Sequence, residues 1–189
     1  MSTLNYYLSL PWNVKIHKVK DEDGDYYCGQ LQEIPEVRAD GDTLEECYNL
    51  VMEMLKSNLE EAIKAARQVL RATDNAISIL NKSNKWSFVD ILGGEGLSSF
   101  MKRKHIKDAN RAIFEIKHDI ERLRKELGDI NIDLPGEISD SLSDNMFDIF
   151  FDNIFTDLRV RSEIKGKINE LVEFRDMIIS LIQSLEREI

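Results

Sequence analysis

The chain has 189 residues, of which 42% are hydrophobic and 32% are charged. A chain of this length and composition buries a core without needing disulfides or a structural metal. No apolar run approaches the roughly 20 residues of a membrane span. The N-terminal residues Met1-Ser2-Thr3-Leu4-Asn5 lack the basic region and apolar core of a signal peptide. We therefore expect a cytoplasmic bacterial protein that does not contact the membrane.

The net charge of −10 is distributed unevenly along the chain. Residues 1–65 contain six Lys/Arg against thirteen Asp/Glu, a net charge of −7, whereas residues 66–189 contain nineteen against twenty-two, a net charge of −3. The field of the first segment attracts basic partners and repels nucleic acid. The charge therefore predicts a basic partner for the N-terminal part.

The first predicted elements are short strands joined by an acidic turn. Apolar and aromatic residues recur with partial alternation over residues 6–19, which predicts a strand. The run Asp21-Glu22-Asp23-Gly24-Asp25 predicts a hairpin turn, because glycine and aspartate tolerate the positive φ of tight turns. A second strand is expected over 26–31. Residues 34–39 are expected to form a short third strand that ends at Asp40-Gly41-Asp42.

A long helix is predicted to follow this sheet. Thr43-Leu44-Glu45-Glu46 is a capping box, in which the threonine oxygen accepts the amide proton of Glu46 and the Glu46 carboxylate reaches back to the cap amide. Apolar residues then recur at spacings of three and four, which predicts a helix over 44–81. Such a helix is about 55 Å long at ~1.5 Å per residue, so we expect two domains to share it.

Two further long helices are predicted over 106–127 and 145–189. Their apolar residues keep the spacing of an antiparallel helix seam. The predicted fold class is therefore α+β, with a small antiparallel sheet packed on the start of the first helix and a bundle of three long antiparallel helices. The predicted domains are 1–65 and 66–189.

The N-terminal segment, about residues 6–62, resembles the HicB-like antitoxin domain. The motifs that carry the resemblance are Asp21-Glu22-Asp23-Gly24-Asp25-Tyr26-Tyr27, then Glu33-Ile34-Pro35, then Gly41-Asp42-Thr43-Leu44-Glu45-Glu46-Cys47. The resemblance implies a partial RNase H-type fold without the nuclease carboxylates. It also implies dimers or tetramers that mask a small basic toxin of the HicA type. Antitoxins of this kind usually end in a DNA-binding domain, whereas a helical segment occupies that place here.

Partner binding is accordingly assigned to acidic and aromatic residues of the N-terminal segment. They are Asp23, Asp25, Tyr27, Glu33 and Glu36. The alternative is an oligomeric structural or scaffold protein, in which the HicB-like domain associates with its own copies. The segment 84–104 and the phenylalanine-rich segment 147–155 resemble helical bacterial proteins of unknown role, a likeness that implies no activity.

No motif in the chain points to catalysis or to a cofactor. Asp21, Asp23 and Asp25 have the spacing that opens an EF-hand loop, but Tyr26 stands where glycine is needed and Gln32 where a bidentate glutamate belongs. The run 93–96 is glycine-rich without the lysine of a phosphate-binding loop. The three histidines share no ligand spacing with each other or with the cysteines. We therefore expect that the protein is not an enzyme and that it binds neither a metal nor a cofactor.

Three features of the sequence remain: a phenylalanine cluster, a basic cluster and the two cysteines. Phe147, Phe150, Phe151 and Phe155 cover more than one face of a predicted helix, so they either pack under residues 86–100 or form a subunit or partner contact. The basic cluster 102–105 is a solvated helix start, and we do not expect nucleic acid to bind it. Cys28 and Cys47 are expected to be buried free thiols of a reducing compartment.

Overall fold

The computed structural model describes residues 12–22, 24–90, 98–128 and 161–188, with side chains described for 12–22, 24–82, 107–128 and 166–188. The described elements form a small three-stranded antiparallel sheet followed by three helices, which is an α+β architecture. None of the helices, over the residues that the structure describes, is long and apolar enough to cross a membrane. The chain divides into two compact units after Glu61. Of the described residues, the second unit contains 62–124 and 161–188, and the first contains the rest.

The sheet of the first unit is a meander in the order β1-β2-β3. Its strands are β1 (Val14–Lys20), β2 (Asp25–Leu31) and β3 (Arg38–Gly41). The β1–β2 turn forms as predicted. The Asp21 amide donates to the Gly24 carbonyl at 3.1 Å, and the Gly24 amide donates to the Asp21 carboxylate at 3.2 Å. Gly24 has a φ of 137°, a conformation that side chains disfavour, so the turn requires its glycine.

The connection between β2 and β3 is a tight turn where the sequence predicted an extended strand. The Val37 amide donates to the Ile34 carbonyl at 3.0 Å, and the Leu31 amide donates to the Val37 carbonyl at 3.0 Å. Ile34 and Val37 are both fully buried, so the turn itself contributes to the core. The prediction of a strand over 34–39 was therefore wrong in its position, because β3 begins at Arg38 and includes Gly41.

The first helix, α1 (Leu44–Asp90), begins at the predicted capping box and packs its first turns against β2 and β3. The Glu46 amide donates to the Thr43 hydroxyl at 3.1 Å. The Glu46 carboxylate accepts from the Asp42 amide at 2.9 Å, one residue before the amide that we predicted. A Cβ built on Gly29 would lie 2.7 Å from the Cys47 sulfur and 3.0 Å from a Val51 methyl carbon, so the helix lies very close to the middle of the sheet.

The second unit is built from the later part of α1, from α2 (Ser98–Gly128) up to Arg124, and from α3 (Arg161–Arg187). Arg175 donates to the Asp74 carboxylate at 2.7 Å and Arg67 donates to Glu186 at 2.6 Å, which joins α1 to α3. Arg122 donates to Gln68 at 3.3 Å, which joins α1 to α2. Each helix also buries an apolar stripe. The fully buried large side chains of this unit, taken over the three helices, are Leu80, Ile113, Ile116, Ile120, Leu123 and Leu171.

The helix boundaries differ from the predicted ones. The first helix was predicted to end at residue 81 and continues to Asp90, and the second was predicted from residue 106 and begins at Ser98. Apolar periodicity ends where a helix stops packing, whereas the backbone hydrogen bonds of a helix can continue beyond that point. The described part of the third helix is Arg161–Arg187. Its predicted start at 145, with Phe147, Phe150, Phe151 and Phe155, lies outside the described residues.

Candidate functional site

The first unit carries an acidic depression of about 350 Å³ at one end of its sheet. Its lining combines four carboxylates with two glycines and a tyrosine. They are Gly24, Asp25, Tyr26, Asp40, Gly41, Asp42 and Glu46. All four acidic side chains are exposed, so a partner can reach them. We refer to this set of residues as the acidic depression.

Three elements meet at the acidic depression because of the antiparallel register. Tyr27 of β2 pairs with Gly41 of β3, and Cys28 pairs with Asp40, so the first residues of β2 lie beside the last residues of β3. Helix α1 begins three residues after Gly41, and its capping box holds the Glu46 carboxylate on the Asp42 amide. The hairpin turn and the helix cap therefore place acidic residues from three parts of the sequence together.

One of the four carboxylates is already neutralised by lysines of β1. Asp25 lies 2.6 Å from the Lys18 ammonium group and 3.5 Å from that of Lys20. The hydrogen bond from Lys18 lowers the pKa of Asp25, and the hydrogen bond to Asp25 raises the pKa of Lys18. Because opposite charges that lie this close largely cancel, Asp40, Asp42 and Glu46 supply the net negative charge of the acidic depression.

Asp40 also contacts the Cys28 thiol on the sheet face opposite α1. The hydrogen bond to Asp40, together with burial, raises the pKa of Cys28 to about 11. The thiol is therefore protonated at neutral pH and is a poor nucleophile. Both cysteines are free, as predicted, but only Cys47 is fully buried and Cys28 is half-buried. Residue 29 faces Cys47, so the adjacent residue 28 faces the other side of the sheet.

The structure separates the residues that the sequence assigned to partner binding. Asp25 lies at the start of β2, with Tyr27 two residues along the same strand. Glu33 and Glu36 follow the other end of that strand, about 20 Å away at ~3.3 Å per residue. The fifth residue, Asp23, is outside the described residues. Of the described members of the predicted set, Asp25 and Tyr27 therefore lie near one end of β2, and Glu33 and Glu36 follow its other end.

Glu33 has a local structural role, whereas Glu36 is exposed. The Glu33 carboxylate accepts hydrogen bonds from the Asn13 side chain at 2.7 Å and from the Asn13 amide at 3.2 Å. Burial opposes ionisation of Glu33, but the hydrogen bonds from Asn13 outweigh it and lower the pKa of Glu33. This carboxylate connects the end of β2 to the start of β1. Glu36 lies in the turn before β3 and faces solvent.

Asp40, Asp42 and Glu46 were not assigned to a site from the sequence. A signal for them was present, because an Ile-Pro-Glu-Val turn between two strands would pair residue 28 with residue 40. The extended interpretation of residues 34–39 concealed that register. The acidic depression thus depends on the turn between Ile34 and Val37, which was predicted to be an extended strand.

Neither a metal site nor a similar protein adds to this description of the site. Among the described residues, no group of three or more His, Cys, Asp or Glu side chains could hold a metal ion. Comparison of the chain with protein-family models, with curated proteins and with solved structures finds no match.

Proposed function

We propose that the chain is a non-enzymatic, protein-binding regulator of the HicB antitoxin type, whose N-terminal unit binds and masks a small basic protein of the HicA type. The observation that carries the proposal is the acidic depression, where Asp40, Asp42 and Glu46 are exposed and close to one another. An acidic surface of this kind steers a basic partner into contact and disfavours acidic ones. The proposal includes a HicB-like fold for the first unit and a three-helix bundle for the second.

The order of local structures supports the HicB-like assignment. A hairpin with an acidic glycine turn comes first, a turn with Pro35 comes next, and Gly41-Asp42-Thr43 then leads into a capped helix. Gly41 allows the strand to come against the helix, because a Cβ there would lie 2.6 Å from the Cys47 nitrogen. The motif residues therefore have physical roles in one small fold.

The test is capture with the tagged full chain from its native cell, followed by mass spectrometry and calorimetry with the purified partner. We expect a basic chain of under about 100 residues to be recovered. The double variant Asp40→Lys, Asp42→Lys is expected to bind that chain at least about tenfold more weakly, because it replaces attraction with repulsion.

A matched control makes the same charge change in the second unit. Glu173→Lys with Glu188→Lys alters two exposed carboxylates at α3 and is expected to retain the partner. Recovery of no basic partner would overturn the proposal. Equal weakening by the two double variants would instead show that only the net charge of the chain matters.

A second candidate function is an oligomeric scaffold, and exposed apolar side chains on α1 favour it. In the first unit Leu44, Leu50 and Met54 are 57%, 38% and 40% exposed. Leu50 and Met54 lie one helical turn apart, so they form one patch that a second copy of the chain could cover.

Light scattering on the purified chain tests the scaffold. The wild type is expected to form a stable oligomer at micromolar concentration without any basic partner. The variant Leu50→Asp, Met54→Asp is expected to be a monomer with an unchanged helical circular dichroism signal. A wild-type monomer would contradict the scaffold.

A further inference from the structure

One face of α2 carries cationic side chains around an exposed aromatic ring. Phe114 is 64% exposed, the highest value among the exposed large hydrophobic side chains of the described residues. Lys107 and Arg111 precede it by seven and three residues, and Lys117 and His118 follow it by three and four. Residues at these spacings share one side of a helix, and by the same spacing the exposed Glu121 and Lys125 lie on this side as well. We call Phe114, Lys107, Arg111, Lys117 and His118 the Phe114 face.

The Phe114 face lies opposite the side of α2 that is packed. The buried side chains of this helix occur at different positions of the helical period. They are Ala109, Ala112, Ile113, Ile116, Ile120 and Leu123. The other four residues of the Phe114 face are exposed as well, and the Arg111 side chain is 82% exposed although it pairs with Glu115 at 3.3 Å. The ring of Phe114 therefore contributes to a surface and not to the core.

Helix α2 is basic although the whole chain is acidic. Ser98–Gly128 contains nine Lys/Arg against five Asp/Glu, a net charge of +4, in a chain whose net charge is −10. At 0.1 M salt the Debye length is about 10 Å, so a ligand on this helix senses mainly the charges within that distance. The acidity of the whole chain is therefore compatible with an anionic ligand at α2.

We propose that the Phe114 face binds single-stranded nucleic acid, with a base stacked on Phe114 and phosphates contacted by Lys107 and Lys117. The proposal does not depend on the proposed function of the first unit. It differs from the expectation drawn from the sequence, which considered the overall charge and the cluster at 102–105 alone. That expectation did not consider Phe114, whose exposure the structure shows.

Single strands fit this face better than other anionic partners do. A phenylalanine ring offers no hydrogen bond, and it gains most from a flat base, which a single strand exposes and a duplex hides. Binding to a lipid surface would need a broad apolar face, whereas Phe114 is the one large apolar residue among the five described residues of this face. From Lys107 to His118 the face is about 16 Å long at ~1.5 Å per residue. A single-strand segment of only a few nucleotides covers that length.

The test is fluorescence anisotropy with the full chain and a labelled 20-nucleotide single strand of mixed sequence in 0.1 M salt. We expect saturable binding that Phe114→Ala weakens about tenfold, because one stacking contact is lost. The variant Lys107→Glu, Lys117→Glu is expected to weaken binding further. It should also make the negative slope of log K against log salt shallower by at least about 1.4, or ~0.7 for each lost phosphate contact.

Matched controls separate this face from nonspecific charge effects. Lys64→Glu with Lys82→Glu makes the same charge change at exposed positions of α1 and is expected to bind like the wild type. A duplex of the same sequence is expected to bind at least about tenfold more weakly than the single strand. The proposal is overturned if the strand does not bind, if the duplex binds equally well, or if both double variants lose affinity equally. Binding to phosphatidylserine vesicles but not to the strand would also overturn it.

Discussion

The backbone of Gly41 lies directly against Cys47 at the start of α1. A Cβ at residue 41 would be 2.6 Å from the Cys47 nitrogen and 2.9 Å from its Cα, and backbone atoms cannot move aside as a flexible side chain can. This close approach brings the end of β3 to the helix cap, where the Asp42 amide donates to the Glu46 carboxylate.

Gly41→Ala is expected to destabilise the first unit by about 1–3 kcal/mol, the usual cost of forcing extra atoms into a packed position. Hydrogen exchange of peptides from the strands, followed by mass spectrometry, measures the change within this unit. Gly166→Ala is the control, because a Cβ there meets nothing within 4 Å and alanine favours helices. Unchanged protection of the strands in Gly41→Ala would contradict the close approach.

The capping box gives a second prediction, because two hydrogen bonds depend on two side chains. Thr43→Ala removes the acceptor of the Glu46 amide and should cost about 1 kcal/mol. Glu46→Ala removes the acceptor of the Asp42 amide. Hydrogen exchange at these amides should increase in the matching variant, and Thr43→Ser should restore the wild-type rate at Glu46. Equal exchange in Thr43→Ala and the wild type would show that the cap does not persist in solution.

The sequence predicted local structure better than it predicted the pairing of distant segments. The turn at Gly24 and the hydrogen bond from the Glu46 amide to Thr43 depend on residues within four positions of each other, and both formed as expected. The position of β3 depends on the turn between Ile34 and Val37, whose apolar side chains are spaced by three. Both residues are β-branched and therefore favour strands, so in the sequence the segment resembles a strand as much as a buried turn.

The acidic depression could likewise be predicted from the sequence only in part. The acidic character of the N-terminal segment was evident from composition. The grouping of Asp25 with Asp40 and Asp42 required the register of β2 with β3, which composition does not contain. Likewise, the exposure of Phe114 depends on which face of α2 is packed. The apolar spacing of that helix included residue 113 but did not identify residue 114 as a surface residue.

The pair of Lys18 with Asp25 gives a prediction about acid pH. The hydrogen bond from Lys18 lowers the pKa of Asp25 below its ordinary value of 3.8. A carboxyl whose pKa is lowered in the folded state contributes stability above its unfolded pKa, and this contribution is lost as the pH falls through the folded pKa. We therefore expect NMR titration of the Asp25 carboxyl carbon to give a midpoint below 3.8.

Lys18→Met is expected to raise that midpoint, because it removes the nearer of the two ammonium groups. Lys15→Met, on the same strand but on the other face of the sheet, is the control and should leave the midpoint unchanged. A midpoint that does not respond to Lys18→Met would indicate that the pair is separated in solution.

The reactivity of Cys28 gives a prediction about Asp40. The hydrogen bond to this carboxylate is the largest cause of the raised pKa of Cys28, which is about 11. Asp40→Asn is therefore expected to lower the pKa of the thiol and to increase its alkylation by iodoacetamide at pH 8 about tenfold. The gain is smaller than the gain in thiolate, because a thiolate of lower pKa is a weaker nucleophile.

Cys47 in the same sample provides the internal reference. Burial is the largest cause of its raised pKa, so its slow alkylation should change much less in Asp40→Asn. Mass spectrometry of the two peptides measures both rates in one experiment. An equal acceleration at both cysteines would indicate that the variant opens the first unit, and no acceleration at Cys28 would contradict the Cys28–Asp40 contact.

Truncation of two side chains of α2, two residues apart, should change the free energy of unfolding by very different amounts. Ile116 is fully buried and Phe114 is 64% exposed. Ile116→Ala is expected to destabilise the second unit by about 2–5 kcal/mol, through lost burial and the cavity that remains. Phe114→Ala removes a larger side chain but is expected to change the free energy of unfolding by less than about 0.5 kcal/mol, because surface substitutions rarely exceed this. Urea unfolding followed by circular dichroism, with the slope checked for two-state behaviour, measures both. If Phe114→Ala were as costly as Ile116→Ala, the ring would be buried in solution, and the Phe114 face could not bind a nucleic acid strand.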